Sequence, residues 1–157
     1  MGALITVGVD TGRKTGWAVA HGTRIVDCGL VLVDDCHAVR LPRVYGGQVV
    51  IEVPDRIDPH VDPRDIITLA LRAGRAVEYY LGRGNAVRTI TPVSWKGSVP
   101  KHIHEARIRS ALSEHEAATV AERMKAIPDG FRNNTWDAVG ITLWAVGRDS
   151  NRKDGTK

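Results

Sequence analysis

The chain is poor in the residues that mark secreted or membrane proteins. Its two cysteines, Cys28 and Cys36, are too few for a disulfide framework or a four-ligand zinc site. No apolar run approaches the roughly 18 residues that a membrane span needs. The opening Met-Gly-Ala-Leu-Ile-Thr-Val has no basic stretch ahead of an apolar one. These absences predict a cytoplasmic protein with no membrane contact. No internal repeat is visible. What remains is a chain of 157 residues, 43% hydrophobic and 25% charged, which is the composition of an ordinary globular domain. That length buries roughly 70% of its unfolded surface around one core. The expected domain spans 1–148, and the polar stretch 149–157 is expected to be disordered. A net charge of +4 suits a polyanionic partner.

Apolar runs at 4–9, 16–20, 24–33, 48–53 and 86–90 predict five strands, the first three joined closely enough to form an antiparallel meander. Residues 34–47 carry Pro42 and Gly46-Gly47 without helical period and read as a loop. Asp62-Pro63-Arg64-Asp65 is a helix start, with an Asp cap and Pro in the first helical position. Ile66, Leu69, Ala70, Ala73, Val77 and Tyr80 give that helix one apolar face, and Gly82 closes it. Further helices are expected near 100–112, 114–126 and 134–147, the second opened by a Ser113–Glu116 capping box. The order predicts an α/β fold: a mixed five-stranded sheet, its fourth and fifth strands parallel to the first, flanked by helices. Chemistry in such a sheet usually sits at the carboxyl ends of the parallel strands.

Three acids stand at such ends. Asp10 closes the first strand, Glu52 ends Val49-Val50-Ile51-Glu52, and Asp137 lies just inside the last helix. A carboxylate at a buried strand end needs a positive neighbour, and three that converge commonly hold a divalent metal. The pattern points to a metal-dependent enzyme that cuts phosphodiesters. Each acid also has a plainer explanation. Asp10 suits a turn, Glu52 an exposed strand end with an Arg partner, and Asp137 the positive end of a helix.

Five segments in order carry a resemblance. They are Gly8-Val9-Asp10-Thr11-Gly12 followed by Thr15-Gly16-Trp17; Ile51-Glu52; Leu71-Arg72-Ala73-Gly74-Arg75; Trp95-Lys96-Gly97-Ser98-Val99-Pro100-Lys101; and Asn133-Asn134-Thr135-Trp136-Asp137-Ala138-Val139-Gly140. The series resembles the RuvC family of Holliday-junction resolvases, with its RNase H-like fold, and the Trp95–Lys101 segment looks most like phage-type members. The resemblance implies a homodimeric endonuclease of a bacterial or phage-infected cytoplasm, acting in DNA recombination and repair. It would resolve four-way junctions by paired nicks that leave 5′-phosphate and 3′-hydroxyl ends. Less selective cutting of flaps, forks or RNA–DNA hybrids is the alternative. Asp10-Thr11-Gly12 is also similar to the first phosphate loop of actin-like ATPases, which need two such domains and a second loop.

On this reading Asp10 bridges two Mg2+ or Mn2+ ions, Glu52 holds one and Asp137 the other. Asn134, one turn before Asp137, stands where the family usually has an acid or His. Its carbonyl can ligate a hard cation without adding charge, and it can equally be a helix N-cap. Lys101 sits in a first helical turn, where a cation opposes the helix dipole, and is the expected catalytic contact to the scissile phosphate. Lys96 is a DNA contact that can reach the same scissile phosphate from the preceding loop, and Arg72 and Arg75 are candidate phosphate contacts. The loop 53–62 has no aromatic, so Arg56 and Ile57 are its candidates for opening base pairs at a junction. Trp17 is expected in the core and Trp95 either there or against nucleic acid. His102, His104 and His115 are expected to be solvated.

Overall fold

The computed structural model describes residues 2–12, 14–31, 40–55 and 58–148. Five strands, β1 (Ile5–Asp10), β2 (Thr15–His21), β3 (Arg24–Val31), β4 (Gln48–Glu52) and β5 (Ala86–Ile90), form one sheet in the order β3-β2-β1-β4-β5. The first three strands are antiparallel neighbours, and β4 is parallel to both β1 and β5. The expected mixed sheet is therefore present, and β4 lies directly beside β1. The helices are α1 (Pro63–Leu81), α2 (Pro92–Lys96), α3 (Lys101–Ala111), α4 (Glu114–Met124) and α5 (Arg132–Ala145). None among the described residues is long and apolar enough to cross a membrane.

Alternation along β1 separates two cores. Val7 and Val9 pack with Val49 and Ile51 of β4 against Ala73, Ala76, Tyr79 and Tyr80 of α1. Thr6, Gly8 and Asp10 point to the other face, which α5 covers. There Ala138, Val139 and Leu143 join Ala18, Ala20 and Ile25 of the sheet, with α3 and α4 outside them. The approach of α5 is close because β1 and β2 carry glycines beneath it. A Cβ on Gly8 would lie 2.7 Å from the Ala138 carbonyl, and one on Gly16 would strike the Asn134 backbone. A buried Glu116 ties the same layer together. Its carboxylate accepts from Arg148 at the end of α5 and from the Ile25 N–H of β3, 2.7 Å away.

Several expectations change at element ends. The helix expected over 134–147 begins at Arg132 with Phe131 as its cap, so Asn134 lies inside the first turn and is not an N-cap. α1 starts as expected, with the Asp62 carboxylate accepting the Arg64 N–H at 2.9 Å. Its closing Gly82 keeps a right-handed backbone, and Gly84 supplies the positive φ of 71° instead. Ala70, expected on the packed face of α1, is exposed. His104 is buried rather than solvated, its ring edge-on to Trp95 with centroids 4.7 Å apart. α2 was not expected from hydrophobic period, because five residues are too few to show one. The loop expected at 34–47 is described only from residue 40, and the tail 149–157 lies outside the described residues.

Candidate active site

Asp10 and Glu52 are direct partners in the parallel β1–β4 register. Both side chains emerge on the α5 face, at the carboxyl edge of the parallel strands. Asp137 approaches from α5 above them. It lies in the second turn of that helix, whose first turn holds no acid. The pull of a helix N-terminus fades within its first turn, so the dipole does not account for this residue.

The cation between these acids is Lys96. Its ammonium is 3.3 Å from Asp137 Oδ2 and 3.9 Å from Glu52 Oε2. The short helix α2 carries it there. Thr91 and Pro92 begin that helix, and Ser94 Oγ accepts the Thr91 N–H at 3.1 Å. One residue earlier, buried Trp95 donates its indole N–H to Glu52 Oε2 at 2.5 Å. The Glu52 main-chain carbonyl accepts the Thr11 hydroxyl at 3.0 Å. Glu52 is thus oriented by lysine, indole and loop rather than by an arginine.

Electrostatics show how much negative charge has been collected. Burial lifts Asp10 well above the ordinary carboxylate range, and repulsion from Glu52 and Asp137 adds to this, against a smaller pull from Lys96. Burial also raises Glu52, with Lys96 and the Trp95 indole opposing. For Lys96 burial alone would lower the value, yet Asp137, Glu52 and Asp10 together hold it above that of a free lysine. Hard oxygen donors in excess of positive charge fit Mg2+ or Mn2+. The acids are not drawn into a closed cage, however. Among the described residues no three carboxylate, imidazole or thiol groups are gathered tightly enough to enclose an ion, and Lys96 stands between two of the three acids.

Asp10, Thr11, Gly12 and Glu52 line a cleft of about 140 Å³, walled by Leu69 and Pro92; Asp137 is not part of its lining. Leu69 also lines a larger groove of about 800 Å³, together with Lys14, Asp65, Thr68, Arg72 and Phe131. Arg72 donates to the Gly12 carbonyl at 3.2 Å, and the Lys14 ammonium lies 5.9 Å from the centre of the Phe131 ring. Asn134 Nδ2 donates to the Lys14 carbonyl at 2.5 Å. The loop after β1 is therefore pinned from three sides, by Glu52, Arg72 and Asn134.

Asp10, Glu52, Asp137 and Lys96 are brought together; Arg72 and Asn134 border them. Lys101 is exposed at the first position of α3 and forms no hydrogen bond or ion pair with the three acids among the described residues. Arg75 is exposed on α1. Arg56 and Ile57 lie outside the described residues. Sequence reasoning offered Lys96 as a contact to the scissile phosphate but missed that it pairs with Asp137 and Glu52, and that Trp95 orients Glu52. The Thr91-Pro92 pair, a helix start of the same kind as Asp62-Pro63, is the signal that would have found α2.

No protein-family model matches the chain, and no curated protein does. Its architecture is nevertheless an RNase H-like fold of the RuvC type. A structure of T. thermophilus RuvC in complex with Holliday junction substrate is similar over 93% of this chain and 98% of that one. The TM-score is 0.51 and the sequence identity 13%. Another Thermus thermophilus RuvC structure matches over 89% of this chain and 92% of that one, with TM-score 0.46 and 15% identity.

Proposed function

We propose that this protein is a divalent-metal-dependent endonuclease that cuts branched DNA, with the four-way junction as its main substrate. The observation that carries the proposal is the pairing of Asp10 and Glu52 on adjacent parallel strands, with Asp137 over the same face. A divalent cation held by these carboxylates would polarise the phosphate and make water acidic enough to attack it. Trp95 and Thr11 orient Glu52 for that task. Lys96 adds positive charge where the phosphate gains negative charge. Lys14 and Arg72 give the neighbouring groove the character needed to track a phosphate backbone, the exposed Lys101 and Arg75 are further candidate phosphate contacts, and Arg56, outside the described residues, is proposed as a DNA contact. Ile57 is proposed to act at the junction centre.

The preference for a junction is supported by the likeness to a protein whose structure contains one. It also requires two active sites related by two-fold symmetry, because a four-way junction is itself two-fold symmetric. We therefore include a homodimer in the proposal. Ile67 and Leu71, each 60% exposed on α1, form an apolar strip suited to the contact.

The test is cleavage of labelled four-way junction, fork, flap and duplex in Mg2+ or Mn2+, with Asp10→Asn as control. Paired nicks in the junction that vanish in a folded Asp10→Asn protein are expected. Preferential cutting of forks or flaps would replace the substrate assignment. Wild-type rates in the variant would remove the nuclease centre altogether.

A further inference from the structure

We infer that Lys96 takes the place of one of two divalent cations, so that each chain binds a single ion between Asp10 and Glu52. The inference rests on the metal-dependent reading above and fixes how many ions that reading requires.

Charge balance is the first argument. Three carboxylates and one ammonium leave two negative charges, which one divalent cation neutralises. A second divalent ion would overfill the site unless the ammonium left it. Position is the second argument. The open cleft is lined by Asp10 and Glu52 but not by Asp137, while Asp137 has the Lys96 ammonium at 3.3 Å. The two halves of the acidic site thus differ, one facing open space and the other already holding a cation.

Lys96 is also well held. Its ammonium lies 5.2 Å from the centre of the Trp95 ring, close enough for a cation–π attraction, and it reaches Glu52 as well as Asp137. An ion entering beside Asp137 would have to displace this ammonium from both acids. Finally, Asn134 adds no charge beside Asp137, and its amide nitrogen is committed to the Lys14 carbonyl.

The experiment counts Mn2+ ions bound per chain without DNA, by titration calorimetry and by electron paramagnetic resonance of free Mn2+. It compares the wild type with Lys96→Met, Lys96→Gln and Lys96→Arg, each first shown to melt cooperatively. One ion is expected on the wild type and on Lys96→Arg, and two on both neutral variants. Two ions on the wild type would overturn the inference and leave the metal-dependent reading standing, as would a count of one on the folded neutral variants. No binding by any of the proteins would overturn both. Two ions on the wild type overturn the inference whether or not the neutral variants fold.

Discussion

Asp10 and Glu52 occupy paired positions at the ends of β1 and β4, and the Glu52 charge helps burial to hold the proton on Asp10. In a parallel pair, residues in register point to the same face from strands roughly 4.8 Å apart. Two carboxylates so placed, one of them buried, oppose folding unless something positive lies near. Lys96 supplies part of that charge from α2 and leaves the Asp10 side of the site short of it. The sheet holds this arrangement in place, because β1 and β4 are both interior strands with an apolar core on one face and α5 on the other.

Trp95 should govern the metal affinity of Glu52 without touching the metal. Trp95→Phe keeps an aromatic ring in the core beside Val50, Ile90 and Ile141 but deletes the donor to Glu52. Groups that orient a ligating side chain commonly contribute 10–100-fold to metal affinity. Mn2+ binding by calorimetry should weaken by at least about tenfold on that basis. A variant that is less stable but binds Mn2+ unchanged would make Trp95 a core residue and nothing more.

The dimer can be tested at Leu71, which is outward on α1 and remote from the packed core. Leu71→Glu places a charge in the proposed contact while leaving Ala73, Ala76, Tyr79 and Tyr80 seated. Light scattering should show a dimer for the wild type and a monomer for the variant. Junction nicks by the variant should then occur singly rather than in pairs. An unchanged dimer would move the contact to another face.

How the fold could be read from sequence depended on the length of each signal. Strand runs such as Val49 to Ile51 and the capped start of α1 are strong local patterns, and the three acids stood out because they terminate such runs. Lys96 stood out less than Lys101. Its position depends on a five-residue helix, too short for hydrophobic period to show which side chains meet the acids. His104 and Glu116 were hidden for a related reason. Polar residues on a helix read as solvated unless their distant partners, here Trp95 and Arg148, are known.

Glu116 should set the acid limit of stability. Burial would raise its pKa, but the Arg148 guanidinium and the Ser113 and Ile25 N–H groups bring it down to about 2 from 4.5. A depressed value means that the folded state prefers the charged form. The resulting stability is complete above about pH 4.5 and disappears as pH falls toward 2. At neutral pH it amounts to about 3 kcal/mol, at 1.36 kcal/mol per pH unit. Glu116→Gln should lose about that much in urea unfolding at pH 7 and show a flatter decline below pH 4.5. Equal acid sensitivity in both proteins would assign the acid transition to other groups.

Asn134 separates a structural role from a ligand role. Its Nδ2 donates to the Lys14 carbonyl at 2.5 Å, holding the loop that carries Thr11 and Gly12 into the cleft. An aspartate there cannot donate and would set a carboxylate oxygen against a carbonyl oxygen. Leaving that part-buried pair unmade costs about 1 kcal/mol, a fall of a few degrees in Tm for a chain of this size. Asn134→Asp should therefore be less stable and bind Mn2+ no more tightly than the wild type, despite its added charge. Asn134→Ala should lose similar stability, since it lacks the same donor. Tighter Mn2+ binding by the Asp variant with an unchanged Tm would instead make residue 134 a metal ligand, and the hydrogen bond to Lys14 would be incidental.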